Sequence, residues 1–287
     1  MFTRAMPALF VLLWSTGFIG AKYGLPYAEP FTFLSIRFVL IITLLAGLGL
    51  AGHATWPRSP RQIGHLLVSG TLVHAAYLGG VFAAIHHGLS SGMAALLVGL
   101  QPVLTALVAG PLFGERITAR QWLGLLLGLV GVMLVLAARP SGLGFAGLSW
   151  VGVGFALVAL GGITAGTLYQ KRFGQGMDLR TGSAVQYVGA LLVLGPVAFF
   201  TETMQVEWSW TFVLALGWLV LVLSFGAITL LMLLIKNGEA ARVASLFYLV
   251  PPVTAAIAWV LFGETLTWLG LAGMALAAMG VALVIRK

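Results

Sequence analysis

His74 and Tyr77 stand three residues apart in a long apolar run, a spacing that an α-helix turns onto one face. About 11 residues of helix would set His74 roughly 16 Å deep, near the centre of a bilayer core of about 30 Å. A histidine at that depth either stays neutral and bonds a neighbouring helix, or contacts a substrate or carries a proton. Other polar residues recur at helical spacing: Trp14 beside Ser15, Gln101 with Thr105, Gln186 and Tyr187 near Ser183, and Ser245 with Tyr248. One such pair is ordinarily an interhelical hydrogen bond. Several together predict one shared pocket that binds substrate through Trp14, His74, Tyr77, Gln101, Gln186, Tyr187, Ser245 and Tyr248. Its tryptophan and tyrosines suit an aromatic or amphipathic small molecule. Pro102, Pro251 and Pro252 also fall inside apolar runs. A proline lacks the N–H that a carbonyl one turn earlier needs. These positions are expected to kink their helices, widening a central cavity and freeing carbonyls for a solute.

The charged residues are informative by position. All seven carboxylates, Glu29, Glu115, Asp178, Glu202, Glu207, Glu239 and Glu264, lie at the ends of apolar runs or between them. Ion-coupled carriers ordinarily keep a carboxylate at mid-membrane. Transport here is therefore expected to be facilitated or to depend on a histidine. Arg37 lies about six residues, roughly 9 Å, inside its run. It is expected to snorkel outward, the other reading being contact with a substrate carboxylate. An intramembrane enzyme would need Ser15, Ser183, Ser224 or Ser245 activated by His74. There is no cysteine, hence no thiolate nucleophile or ligand, and no helical His-x-x-x-His. No metal or cofactor is expected, and a carrier is favoured over an enzyme. A channel fits less well, because ordered filter loops need more non-helical length than these short connections offer.

Composition dictates what must position these residues. Of 287 residues, 60% are hydrophobic and 8% charged, and the mean hydropathy is +1.06. A soluble domain carries roughly 25% charged residues, so the chain is read as an integral membrane protein. Ten apolar segments are predicted near 5–24, 31–52, 63–85, 89–111, 119–138, 148–170, 180–200, 210–234, 240–262 and 266–285. The first is read as a helix rather than a signal peptide. Trp56, Trp150, Trp208, Trp210 and Trp268 fall near segment ends, as interface anchors do. The net charge of +8 is read as the basic-loop bias of membrane proteins, not as nucleic-acid binding. With the N-terminus inside, Arg4, Arg58, Arg61, Arg116, Arg120, Lys171, Arg172, Arg180, Lys236, Arg242, Arg286 and Lys287 are all cytoplasmic. Only Lys22 and Arg139 fall outside, so both termini are expected in the cytoplasm.

The chain also repeats itself. Phe113-Gly114-Glu115-Arg116-Ile117-Thr118 matches Phe262-Gly263-Glu264-Thr265-Leu266-Thr267 at an offset of 149. The register continues through Gly124 with Gly273, Gly128 with Ala277, and Gly131 with Gly280. Gln101-Pro102 pairs with Pro251-Pro252 after a one-residue slip. Two units are predicted, 1–138 and 139–287, each of five helices. Five is odd, so the second enters the membrane from the opposite side. The expected fold is thus all-α: ten transmembrane helices in two inverted-topology repeats. The small-residue faces offer a dimer surface or close packing within each half; the second is expected, which leaves a monomer as the expected state.

The paired blocks, with a proline in the fourth helix, an F-G-E close and a Gly-spaced fifth helix, resemble the drug/metabolite transporter superfamily, EamA-type branch. Trp14 followed by Lys22 resembles that family's opening motif. Within it, the chain is most similar to bacterial aromatic amino-acid exporters. The resemblance implies export of small metabolites, amino acids and especially aromatic ones, across a bacterial inner membrane by alternating access. Another metabolite or drug-like solute is the alternative. The doubled Pro251-Pro252 against Gln101-Pro102 makes the two halves unequal at the site.

Overall fold

The computed structural model describes residues 2–89, 91–114, 116–138, 149–174, 176–237, 240–262 and 267–285. Of the positions singled out above, Glu115, Arg139, Glu239, Gly263, Glu264, Thr265, Leu266 and the C-terminal Arg286 and Lys287 lie outside the described residues. Helices account for nearly all of the rest. Beta pairing among the described residues is an isolated antiparallel bridge between Ala28 and Val206.

Ten helical segments run in chain order: α1 (Phe2–Ser15, continued by Gly17–Gly24), α2 (Pro30–Ala51), α3 (Pro60–His86), α4 (Ser91–Val98 and Gln101–Phe113), α5 (Ala119–Ala137), α6 (Trp150–Phe173), α7 (Leu179–Thr201), α8 (Trp210–Asn237), α9 (Ala240–Ser245, Leu246–Leu249 and Val250–Phe262) and α10 (Trp268–Ile285). Nine stretches among the described residues are long and apolar enough to cross a membrane, and α1 adds a shorter one. Local chemistry sets the boundaries. Pro30 and Pro60 open α2 and α3 with a pre-set φ. Thr118 and Gln121 form a reciprocal capping box at α5. Ser149, Asp178 and Ser209 each accept a backbone N–H at the start of α6, α7 and α8. Gly114 closes α4 at φ 70°, a left-handed conformation that glycine adopts without a Cβ clash.

Three helices are interrupted. A turn at 99–100 splits α4 just before Gln101 and Pro102, and a 3₁₀ turn, Leu246–Leu249, breaks α9 just before Pro251 and Pro252. Each proline thus sits at the start of a new helical stretch rather than inside a continuous one, where its missing N–H leaves no gap. The break in α1 at Thr16 meets the break in α9. Ser15 Oγ donates to Val250 O at 3.3 Å and Thr254 Oγ1 to Ser15 O at 3.2 Å.

Two stretches wind more loosely, as π-helix: Thr71–Gly79 in α3 and Leu219–Ala227 in α8. They start 148 residues apart, at matching places in the two halves. Such stretches are rare and concentrate at functional sites. Propensity scales carry no signal for them, so periodicity alone read both as ordinary helix.

The glycine faces of α5 and α10 lie against each other. A Cβ on Gly131 would stand 2.7 Å from Gly273 O, and one on Gly124 2.6 Å from Gly280 O. This corrects the expectation of packing within each half. The small residues join one half to the other, because backbones in lipid approach most closely where both partners lack side chains.

Candidate functional site

The middle of the bundle holds an aromatic cluster built from five helices, α1, α2, α3, α7 and α9. Trp14 of α1 stacks on Tyr77 of α3, with ring centroids 6.2 Å apart and planes within 14°. Phe247 of α9 packs edge-on to Trp14 at 5.3 Å. His74, three residues before Tyr77, stacks on Tyr187 of α7 at 4.1 Å and 15°. Phe38 of α2 tilts against Tyr187 at 5.5 Å. The Tyr187 hydroxyl donates to Ser224 O in the π-helical part of α8 at 3.2 Å. Trp14, His74, Tyr77 and Tyr187 are all buried. Both His74 nitrogens lack a hydrogen-bond partner, so among the described residues His74 is hydrogen-bonded to no serine that it could activate.

Arg37 is also inside. It is 3% exposed, and its Nε donates to Ser224 Oγ at 2.8 Å. The expected outward snorkelling does not occur. The helix turns this side chain toward α8, whose π-helical stretch offers an oxygen that lipid could not.

The remaining polar residues singled out in the sequence bond elsewhere or stay unbonded. Gln186 donates to Gln170 Oε1 at 2.7 Å, and Ser69 donates to the same oxygen at 2.7 Å. This buried chain joins α3, α6 and α7. Gln170 was missed because it adjoins Lys171 and reads as a helix end. Gln101 and Thr167 line a narrow cleft with Ile235, Ala240, Val243, Ala244 and Phe247. Gln101 is buried with neither amide atom bonded, as are the Thr105 and Tyr248 hydroxyls. Ser245 Oγ donates to Arg242 O at 2.8 Å. A second cleft is lined by Gln170, Gly174, Met177, Leu179, Met232, Ile235 and Lys236. Both clefts sit toward the end of the bundle that carries Lys236.

The other end is tied shut. Glu202 accepts from Phe31 N at 2.8 Å, Thr32 N at 2.6 Å and Thr32 Oγ1 at 2.7 Å. Glu29 accepts from Thr203 N and Thr203 Oγ1, each at 2.6 Å. The Ala28–Val206 bridge lies beside them. Thr203 holds the Glu29 carboxyl below the ordinary carboxylate range. At the opposite end, the Arg180 guanidinium does the same for Asp178. Glu29, Glu202 and Asp178 are thus engaged at helix ends with partners other than Arg37.

This architecture, two similar halves with broken helices around a mid-bundle polar centre, is one that carriers use. The EamA-like transporter family model matches residues 5–137 and again 150–286. The chain belongs to this family. It is 30% identical to the inner membrane transporter YedA of Escherichia coli, over 97% of this chain and 90% of that one. It is 29% identical to the transporter YvbV of Bacillus subtilis, over 99% and 92%. A protein of Salmonella typhimurium named as a probable amino-acid metabolite efflux pump is 28% identical, over 95% and 91%. A solved crystal structure superposes with a TM-score of 0.84 at 22% identity, covering 98% of this chain and 95% of that one; it supports the fold alone. This EamA-family chain is thus a multi-span membrane transporter with two repeated halves.

Proposed function

We propose that this EamA-family protein exports small amino-acid-like metabolites, aromatic ones above all, across a bacterial inner membrane by alternating access. The observation that carries the reading is the buried cluster of Trp14, Tyr77, His74 and Tyr187, with stacked planes and two unbonded imidazole nitrogens between the halves. Stacked rings take up a flat side chain, and unbonded polar atoms await a solute's own polar groups. The name of the Salmonella relative supports an amino-acid cargo.

The units 1–138 and 139–287 rock against each other about this centre, and the broken stretches of α1, α4 and α9 act as its hinges. Gln101, Gln186, Ser245 and Tyr248 join the solute's path as the halves move. The closed end is the external one, both termini are cytoplasmic, and the clefts near Gln101 and Lys236 mark the inward route. Uptake by proteoliposomes of a panel of amino acids and drug-like cations, with and without a proton gradient, tests the reading. Saturable movement of unmodified tryptophan or phenylalanine is expected. Movement of other solutes in the panel but of no amino acid would overturn the cargo.

A further inference from the structure

We propose that Arg37 is an anion site that receives the carboxylate of the transported solute. The proposal rests on the amino-acid reading above and adds to it the group that selects acids over amines. A guanidinium stays charged at any physiological pH, and a charge inside a membrane protein is costly unless paired. Arg37 is buried, and among the described residues its single hydrogen bond goes from Nε to a neutral hydroxyl, Ser224 Oγ. Among the described residues it has no carboxylate partner. Glu29 and Glu202 are engaged at one end of the bundle and Asp178 at the other. The guanidinium nevertheless sits beside the aromatic cluster, since Ser224 also accepts the Tyr187 hydroxyl through its carbonyl, and Tyr187 stacks on His74. A planar cation next to stacked rings matches a solute with a carboxylate at one end and an aromatic group at the other.

The internal repeat sharpens the assignment. At the offset of 149 that aligns the two halves, Arg37 corresponds to Gln186, and Phe38 to Tyr187. Gln186 is buried too, but it is neutral and donates to Gln170. The second half thus solves the same structural problem, a polar side chain facing a neighbouring helix, without a charge. Bridging helices does not by itself require arginine at 37, and the positive charge is left for an anion to use.

The test compares wild type with Arg37→Gln, the residue the other half uses, in two measurements. One is thermal unfolding of purified protein in an isethionate buffer, with tryptophan or phenylalanine, with the matching amines tryptamine and phenethylamine, or with chloride alone. The other is proteoliposome uptake of the same four compounds. The acids are expected to stabilise wild type and to be taken up. Arg37→Gln should weaken the acids at least about tenfold and the amines less than about twofold. Equal effects on acids and amines overturn the proposal, and so does an Arg37-dependent shift given by chloride but not by the acids. If Arg37→Gln does not fold, Arg37→Lys is used. It should keep the preference for acids, and its loss in a folded protein overturns the site. Wild-type vesicles that move neither acids nor amines overturn the transport reading alone. The unfolding shifts then still decide the anion site: acids that stabilise wild type but not Arg37→Gln support it, and any other pattern overturns it.

Discussion

Tyr77 and Trp14 illustrate how much a single side chain can carry here. Each buries a large ring with one polar atom, and the two rings stack on one another. Truncating Tyr77 to Ala removes half of that platform. Loss of one good hydrogen bond is worth about 0.5–1.5 kcal/mol, so transport affinity for an aromatic amino acid should fall roughly threefold to tenfold. His74→Ala should slow transport without unfolding the protein, because its ring nitrogens hold nothing in place. Wild-type uptake kinetics in both alanine variants would return the two residues to simple packing. The carboxylates should behave differently. Glu29→Gln and Glu202→Gln, measured in vesicles with an imposed proton gradient, should leave the gradient dependence as it is, since neither lies near the aromatic centre. Abolished coupling in either folded variant would count against a histidine-dependent or facilitated mechanism.

At the scale of elements, the close approach of α5 to α10 makes a quantitative expectation possible. A side chain at Gly131 would meet Gly273 O and the Ala277 backbone, with no flexible neighbour to give way. Gly131→Val should cost about 1–3 kcal/mol by overpacking, read as a lowered unfolding temperature in detergent. Gly217→Ala is the control, because nothing lies within 4 Å of its added Cβ. The tie between the start of α2 and the end of α7 carries a pH dependence. The folded form of Glu29 has its pKa lowered by Thr203, so its stabilising effect is present above the ordinary carboxylate value. That effect disappears as pH falls through the lowered one. The stability difference between wild type and Glu29→Gln should therefore be seen at neutral pH and vanish in strong acid. A difference that persists below the lowered value would show that the tie does not act through the carboxylate.

For the molecule as a whole, the odd number of helices per half places the two copies in opposite senses, and an even total returns the chain to its starting side. Tags at the two termini should be accessible from the same face of inside-out vesicles and protected in intact cells. Opposite accessibility would end the inverted-repeat topology. The same architecture bears on assembly. Since the glycine faces of α5 and α10 are consumed inside one chain, they are not free to make a dimer, and light scattering in detergent should give the mass of one chain.

Much of this was legible without a fold. Membrane insertion follows from composition, the ten segments from apolar run length, and the repeat from Phe-Gly-Glu at an offset of 149, because lipid imposes the same demand on every spanning residue. The observed helices start and end within a few residues of those expectations, since proline, glycine and capping side chains act locally. What required tertiary structure is which faces meet. Periodicity places Gly131 on a face but cannot tell that the opposing face belongs to α10 of the other half. Run position places Arg37 near an end, yet its side chain turns inward because Ser224 of a distant helix offers an oxygen. The π-helical stretches around His74 and Ser224 are likewise unreadable locally, since looser winding changes the angle between residues without changing their composition. One dimension determines which residues enter the membrane; the contacts between helices decide which of them meet.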